Sequence, residues 1–478
     1  MEGSSGVRFV ACLAVGLAVP LVLFRRRKKS KFREVPGGLP LIGHAHLIGS
    51  TSRIVDRLDE WAEKYGTCEF RVLGKKFLCL AEVDDVRSLS KHRPRRVQRL
   101  RAMREAMDPL FAGLFTAELP NWTVERRLVT PAFSHANLGT FLPLLEGVCE
   151  RLVAAAARCS RDVDVTELSA RFATDVISSV GFGQDFKSLD QFGTTETITK
   201  IAGLFDEALA VVGRRATAVL PLFKIPFFGP WLDGGSSLKR KLDAFGNDLL
   251  SKADPINGNT VLDKMVEANA KEKVDAQRLV GNVLILHIAG SDTTAHTMAW
   301  MLYELAKDPI LRNDATEEVT SSSSNEATTF QGALDKLPLL RSLFWETLRL
   351  RGPVGITGLE NSDTIDLAGQ TIEPYEYAIT VPFRYILRGK DATFDARRWL
   401  DDNGTGLKKT DVMIPFGFGV RICPARDLAE LEACQGVASL LRAYPDMTLA
   451  DPDDARDPPK IAFNFTMKNE RPIRLRLY

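Results

Sequence analysis

The stretch from 278 to 306, RLVGNVLILHIAGSDTTAHTMAWMLYELA, constrains this chain more than any other. It is apolar on nearly every side of a helix, and such a helix has to run through the middle of a large protein. Its 29 residues could also cross a membrane, but Asp292, His287, His296 and four Ser/Thr residues argue against that. The rest of the pattern is mostly helical. SRIVDRLDEWAEKYG (52–66) carries its apolar residues with a 3.6-residue rhythm and closes on Gly66. Further helices are expected at about 122–134, 138–158 and 165–182, and from about Ala425 onward. CEFRVLGKKFLCLA reads as a hairpin with Gly74 in its turn. The expected fold class is therefore mainly α with a smaller β subdomain.

A chain of 478 residues would divide into about three domains at 150 residues each, although a large helical enzyme can be one unit. A net charge of +2 gives no reason to expect nucleic acid as a partner. The seven cysteines are odd in number and include no C-x-x-C, which supports neither a zinc cage nor a disulfide framework. Free thiols point to a reducing compartment for most of the chain.

Phe9–Phe24 is 16 residues without a charge. As a helix it is about 24 Å long, close to the thin core of the endoplasmic reticulum bilayer at about 27 Å. A cleaved secretory or organelle-targeting segment is the rival, but the basic run RRRKKSKFR follows the apolar stretch instead of preceding it. The positive-inside rule then puts everything after residue 25 in the cytosol. The expected organisation is a membrane anchor over 1–24, a basic and Pro/Gly-rich linker over 25–40, and a catalytic domain over 41–478.

Three short stretches carry chemistry. In AGSDTT (289–294), Ala289 and Gly290 open one face of the central helix to a flat ligand, with Asp292 and Thr293 just beyond. A kinked core helix with a capped acid is the plain alternative, and a metal pair from Asp292 and His296 a remoter one. FWETLRL sets Glu346 and Arg349 at i, i+3 inside an apolar helix. That is an ordinary helix salt bridge or, given its neighbours, a buried pair that needs a further partner. PFGFGVRICPARD (415–427) sets Cys423 in a glycine-rich turn before a helix. There the helix dipole is expected to lower the thiol pKa, and inert packing is the alternative to a ligand role.

In order and spacing these stretches resemble the cytochrome P450 haem-thiolate monooxygenases. Phe416, Gly419, Arg421 and Cys423 match that family's cysteine loop, F-x-x-G-x-R-x-C-x-G. Ala289, Gly290, Asp292, Thr293 and Thr294 match its central-helix signature, Glu346 and Arg349 its E-x-x-R, and Trp122 and Arg126 its W-x-x-x-R helix. The resemblance runs from about residue 36 to the end and includes the anchor and proline hinge of microsomal members.

The resemblance implies haem b (iron protoporphyrin IX) between the central helix and the cysteine loop, with Cys423 as thiolate ligand of its iron and dioxygen as co-substrate. It implies that Trp122, Arg126 and Arg421 hold the propionates, with Phe416, Gly419, Ala289 and Gly290 shaping the cofactor site. Asp292 and Thr293 would deliver protons, and Glu346 and Arg349 would be structural with Arg398 of FDARRWL. The substrate would be lipophilic and the electrons would come from a separate reductase; Lys408, Lys409 and Arg426 near the cysteine loop are either its basic docking face or a merely solvated basic rim. The protein would sit on the endoplasmic reticulum membrane, facing the cytosol. Two rivals stand beside this: a reductase-independent isomerase or dehydratase of lipid hydroperoxides, and a non-enzymatic haem-binding protein. The chain departs from the family at Ala425, where glycine is usual, at Ala396–Arg397, and over 352–363, which lacks an Arg or His for a propionate.

Overall fold

The computed structural model describes residues 31–159, 162–193, 200–216, 218, 222–225, 229–321, 329–408 and 414–478. The expected anchor, Phe9–Phe24, lies outside the described residues, as does Lys409. Among the described residues no helix is long and apolar enough to cross a membrane. The expectation of a mainly helical protein with a smaller sheet region is met.

Arg33–Glu34 (β1) pairs parallel with Cys68–Val72 (β2), so from Arg33 the stretch expected as a linker is docked on the sheet. Buried His44 secures it, bonding the Val35 carbonyl at 2.6 Å and the Arg71 amide at 3.0 Å. β2 turns back into Lys75–Cys79 (β3) in the expected hairpin, where Phe70 and Phe77 face each other with rings stacked 5.0 Å apart. Ile54–Tyr65 (α1) lays Val55, Leu58, Trp61 and Ala62 on this layer, because those positions recur on one helical face. Val97–Arg99 (β4), Ile356–Asn361 (β5) and Ala378–Pro382 (β6) complete a six-stranded sheet ordered β1-β2-β3-β6-β5-β4. A separate hairpin, Ile461–Asn464 (β7) with Thr466–Asn469 (β8), lies near the C-terminus.

The helices that frame the site are Arg101–Met107 (α2), Asn121–Val129 (α3), Val165–Val176 (α4), Lys200–Ala216 (α5), Ala276–Lys307 (α6), Pro338–Arg351 (α7) and Arg426–Ala443 (α8). The helix expected over 138–158 divides into His135–Thr140 and Leu142–Ala157, with Pro143 starting the second piece. α4 runs on into a π-turn at Ile177–Gly181.

α6 is the axis of the largest core. Asp275 caps it by accepting from the Arg278 amide at 3.0 Å. Every residue from Leu279 to Ile288 and from Thr294 to Ala306 is buried, and the five between them are not. Met298, Trp300, Leu302 and Tyr303 pack with Phe172 of α4, Phe344 of α7 and Leu431 of α8. The interruption at 289–293 is thus a local opening in an otherwise enclosed helix.

Candidate active site

The loop before α8 folds on its own hydrogen bonds. Gly417 and Gly419 take φ of 85° and 64°, in the left-handed region that glycine enters without strain. These turns let the Gly417 amide donate to Ile414 O and the Cys423 amide to Phe416 O, both at 2.9 Å. The Phe416 ring meets Phe344 at 6.3 Å and Trp345 at 5.5 Å, fastening the loop to α7. From α3, Arg126 reaches across and donates to Ile422 O at 2.8 Å.

Cys423 therefore sits beside a guanidinium and accepts from the Ala425 amide. The helix start was expected to lower its pKa, and the structure corrects this. Burial pushes the thiol up, outweighing the Ala425 amide, Arg126 and Arg426, which pull it down. A thiolate here calls for a stronger cation than the protein supplies, and a coordinating metal ion is one.

On α6, Ala289 is exposed and 290–293 are half-buried. Thr293 Oγ1 donates to Ala289 O at 2.8 Å, and Ser291 Oγ to His287 O at 2.8 Å, the back-bonding that bends helices. The space beside Gly290 is taken by Ile177, which a Cβ would meet at 2.9 Å, so Ala289 carries the open face. Asp292 is held by Thr466 and Lys468 of β8. His296 is not its partner in a metal pair, because its Nε2 is committed to Arg351 O at 2.8 Å. Burial also lowers the His296 pKa to about 4.

Arginines gather at the side of the cysteine loop. Arg421 bonds Glu118 and donates to Ala117 O at 2.7 Å, with its guanidinium 4.7 Å from the centre of the Trp122 ring. Arg99 donates to Phe115 O at 2.9 Å, and its amide donates to Glu118 at 2.8 Å. Arg93 lies 5.6 Å from the Phe418 ring centre, and among the described residues its buried Nε and Nη2 have no partner; the same is true of Arg421 Nε. Burial lowers Arg93 to about 10 and Arg99 to about 9, with repulsion from Arg421 adding to it, and lowers Arg421 to about 10, with repulsion from Arg104 and Arg126. Glu118 alone does not neutralise the group, which is therefore built to receive an anion.

Glu346 and Arg349 form a two-bond pair at 2.7 and 2.8 Å. Arg398 adds a third bond to Glu346 at 3.2 Å, and the Asp395 amide and Trp399 Nε1 fill its remaining capacity at 2.9 and 3.1 Å. Arg349 in turn donates to the carbonyls of Arg388 and Thr393 at 3.1 and 2.7 Å and to that of Asp391. The buried pair has the further partners that its desolvation requires.

The family model for cytochrome P450 matches residues 34–474. The chain belongs to the cytochrome P450 family. It is similar to cytochrome P450 71B35 of Arabidopsis thaliana, 25% identical, with 92% of each chain covered. It is also 25% identical to cytochrome P450 monooxygenase helB1 of Aspergillus fumigatus, over 88% of this chain and 75% of that one. The third is the bifunctional cytochrome P450/NADPH--P450 reductase of Fusarium oxysporum, 25% identical over 88% of this chain and 40% of that longer protein. By family this is an oxidoreductase of the cytochrome P450 monooxygenase type, and cytochromes P450 are haem proteins that use dioxygen.

The residues present fit a haem. A porphyrin is flat and apolar with two carboxylates at one edge, and Ala289, Cys423 and the unpaired arginine N–H groups supply the matching features. Sequence reasoning missed Arg93, Arg99 and Glu118, although the basic run RPRRVQRLR (93–101) signalled that charge. It also missed Thr466, Lys468 and Glu432. The only trace of the first two was the alternation in FNFTMKN (463–469).

Proposed function

We propose that this P450 inserts one atom of dioxygen into a lipophilic substrate, using electrons from a separate reductase. Ala289 of α6 and the cysteine loop would hold haem b between them, and Cys423 would supply the thiolate to its iron. The observation that carries this reading is the set of buried guanidinium N–H groups beside the Cys423 turn that have no partner among the described residues. When bound, the haem supplies dioxygen binding and two-electron oxidation, which thiolate ligation favours.

The chain's own residues divide the remaining work. Arg126, Arg421 and the indole of Trp122 hold the propionate edge, where the planar forks of arginine suit carboxylates. Phe416 and Gly419 hold the turn that aims the sulfur, and the Ala425 amide and Arg126 polarise it. Asp292 and Thr293 move protons inward from solvent, and this acid–alcohol pair favours monooxygenation over reductase-independent rearrangement of a hydroperoxide. Glu346, Arg349 and Arg398 carry no chemistry and fix the loop from 388 to 399 against α7.

Residues 1–24 anchor the enzyme in the endoplasmic reticulum, residues 25–32 lead out of the membrane, and the chain from Arg33 on, docked through β1, forms the catalytic body on the cytosolic side. Supporting this, Leu39, Leu41, Leu222, Ile225, Trp231 and Leu232 are exposed although apolar. The reductase meets the recess beside Cys423, lined by Arg126, His135, Pro424 and Arg426, and Lys408 lies exposed outside it.

The test is the absorption spectrum of reduced, carbon monoxide-bound protein. A strongly red-shifted Soret band is expected, and Cys423→His should keep the haem and lose the shift. Folded, haem-loaded protein without that band would overturn the proposal.

A further inference from the structure

The β7–β8 hairpin has an unusual tip. Its register pairs Asn464 with Thr466, which leaves Phe465 alone in the turn at φ of 67°. A bulky side chain in this region is strained, and glycine would relieve it. The ring has a use that outweighs this strain. It lies 6.4 Å from Phe115 and packs against the cluster of Phe111, Phe205, Ile285 and Ile288. The last two are on α6 immediately before the opening at Ala289. Phe465 therefore stands among the apolar side chains that a lipophilic molecule above Ala289 would touch.

The adjoining residues hold the acid. Thr466 donates to one oxygen of Asp292 and Lys468 to the other, so both oxygens are occupied. Thr293 is also engaged, with its hydroxyl on the Ala289 carbonyl. The hairpin is anchored below its tip: the Met467 amide donates to Pro353 O at 2.8 Å, and Asn469 accepts from Trp300 Nε1 at 3.0 Å. A push on Phe465 is thus taken up at Thr466, while Lys468 answers by rotating its side chain. The lysine has a second partner within electrostatic reach. Asp206 on α5 is exposed, is attracted by Lys468 and is repelled by Asp292.

We propose that Thr466 and Lys468 are positioning residues for Asp292, and that Phe465 makes their grip depend on an apolar molecule bound beside Ala289. With such a molecule bound, Phe465 is displaced, Thr466 withdraws and Lys468 turns toward Asp206. Asp292 is then free to pass protons inward from solvent. Without a molecule there, the acid stays tied and reducing equivalents are not spent on dioxygen alone. This rests on the monooxygenase reading above.

The test uses haem-loaded, full-length protein and 4-phenylimidazole as the probe, added until its spectral change saturates. Amide hydrogen exchange over 461–469 is expected to quicken by about threefold or more in the native sequence when the probe binds. Phe465→Ala should remove that response. Lys468→Met should exchange fast without probe and raise substrate-free reductant consumption and peroxide release several-fold, and Lys468→Arg should restore both. Unchanged exchange at saturation, or Phe465→Ala responding like the native sequence, overturns the proposal. A missing red-shifted Soret band in the same preparation would instead overturn the haem-thiolate reading, so the two failures are separable.

Discussion

Thr294 Oγ1 donates a hydrogen bond to Glu432, joining the helix that carries Ala289 and Asp292 to the helix that starts just after Cys423. Glu432 is buried with that hydroxyl as its hydrogen-bond partner among the described residues, and burial pushes its carboxyl up to about 8. Unfolded, the group titrates near 4.5. Between these values the folded chain keeps a proton that the unfolded chain has released, so stability falls as pH rises through this window. Glu432→Gln should flatten the decline by up to about 1.4 kcal/mol per pH unit, measured by denaturant unfolding at several pH values. Identical pH slopes for the two proteins would mean that Glu432 is ionised throughout.

The arginine cluster predicts effects of opposite sign in the apo and haem-loaded protein. Arg93 is half-buried and two of its donors are buried with no partner among the described residues, so its charge weakens the fold until an anion arrives. Arg93→Met should stabilise apoprotein by about 1 kcal/mol or more. The same change should speed haem transfer to apomyoglobin several-fold. A purely structural arginine would weaken both forms alike.

Glu346 accepts from five groups on three partners' side chains and one backbone amide, so no single substitution replaces it. Glu346→Ala leaves two guanidinium groups and an indole N–H without their acceptor and should cost about 3–5 kcal/mol. Exchanging Glu346 and Arg349 should not rescue the protein, because the Asp395 amide and Trp399 Nε1 still need an acceptor at 346. Soluble yield and thermal unfolding check both.

The legible parts of this molecule are those written in adjacent residues. The periodicity of 52–66 became α1, the Gly74 turn became the β2–β3 hairpin, and the i, i+3 spacing of Glu346 and Arg349 became a two-bond pair. What could not be read were contacts between residues far apart in the chain. Lys468 meets Asp292 across 176 positions and Glu118 meets Arg421 across 303, and neither lysine nor glutamate carries a local mark of its partner. The Cys423 pKa was misjudged for a related reason. The dipole of α8 is a local property, whereas the burial that outweighs it is made by packing from distant segments.

The two glycines of the cysteine loop should differ when replaced. Both have positive φ, so Gly417→Ala and Gly419→Ala each pay about 1–2 kcal/mol in backbone strain. A methyl at 417 would have Arg421 O as its nearest neighbour, 3.9 Å away, and meets no crowding. At 419 it would stand 3.3 Å from the Ser90 carbonyl oxygen, which is in the helix Val83–Lys91 and cannot easily retreat. The Gly419→Ala loop must therefore shift, and Arg421 and Cys423 shift with it, because the Ile422 amide bonds back to Gly419 O at 3.2 Å. Gly417→Ala should lose stability and keep the red-shifted carbon monoxide band. Gly419→Ala should lose more stability, and part of its haem should absorb as the unshifted form. Equal spectra for the two variants would show that Ser90 does not hold the turn in place.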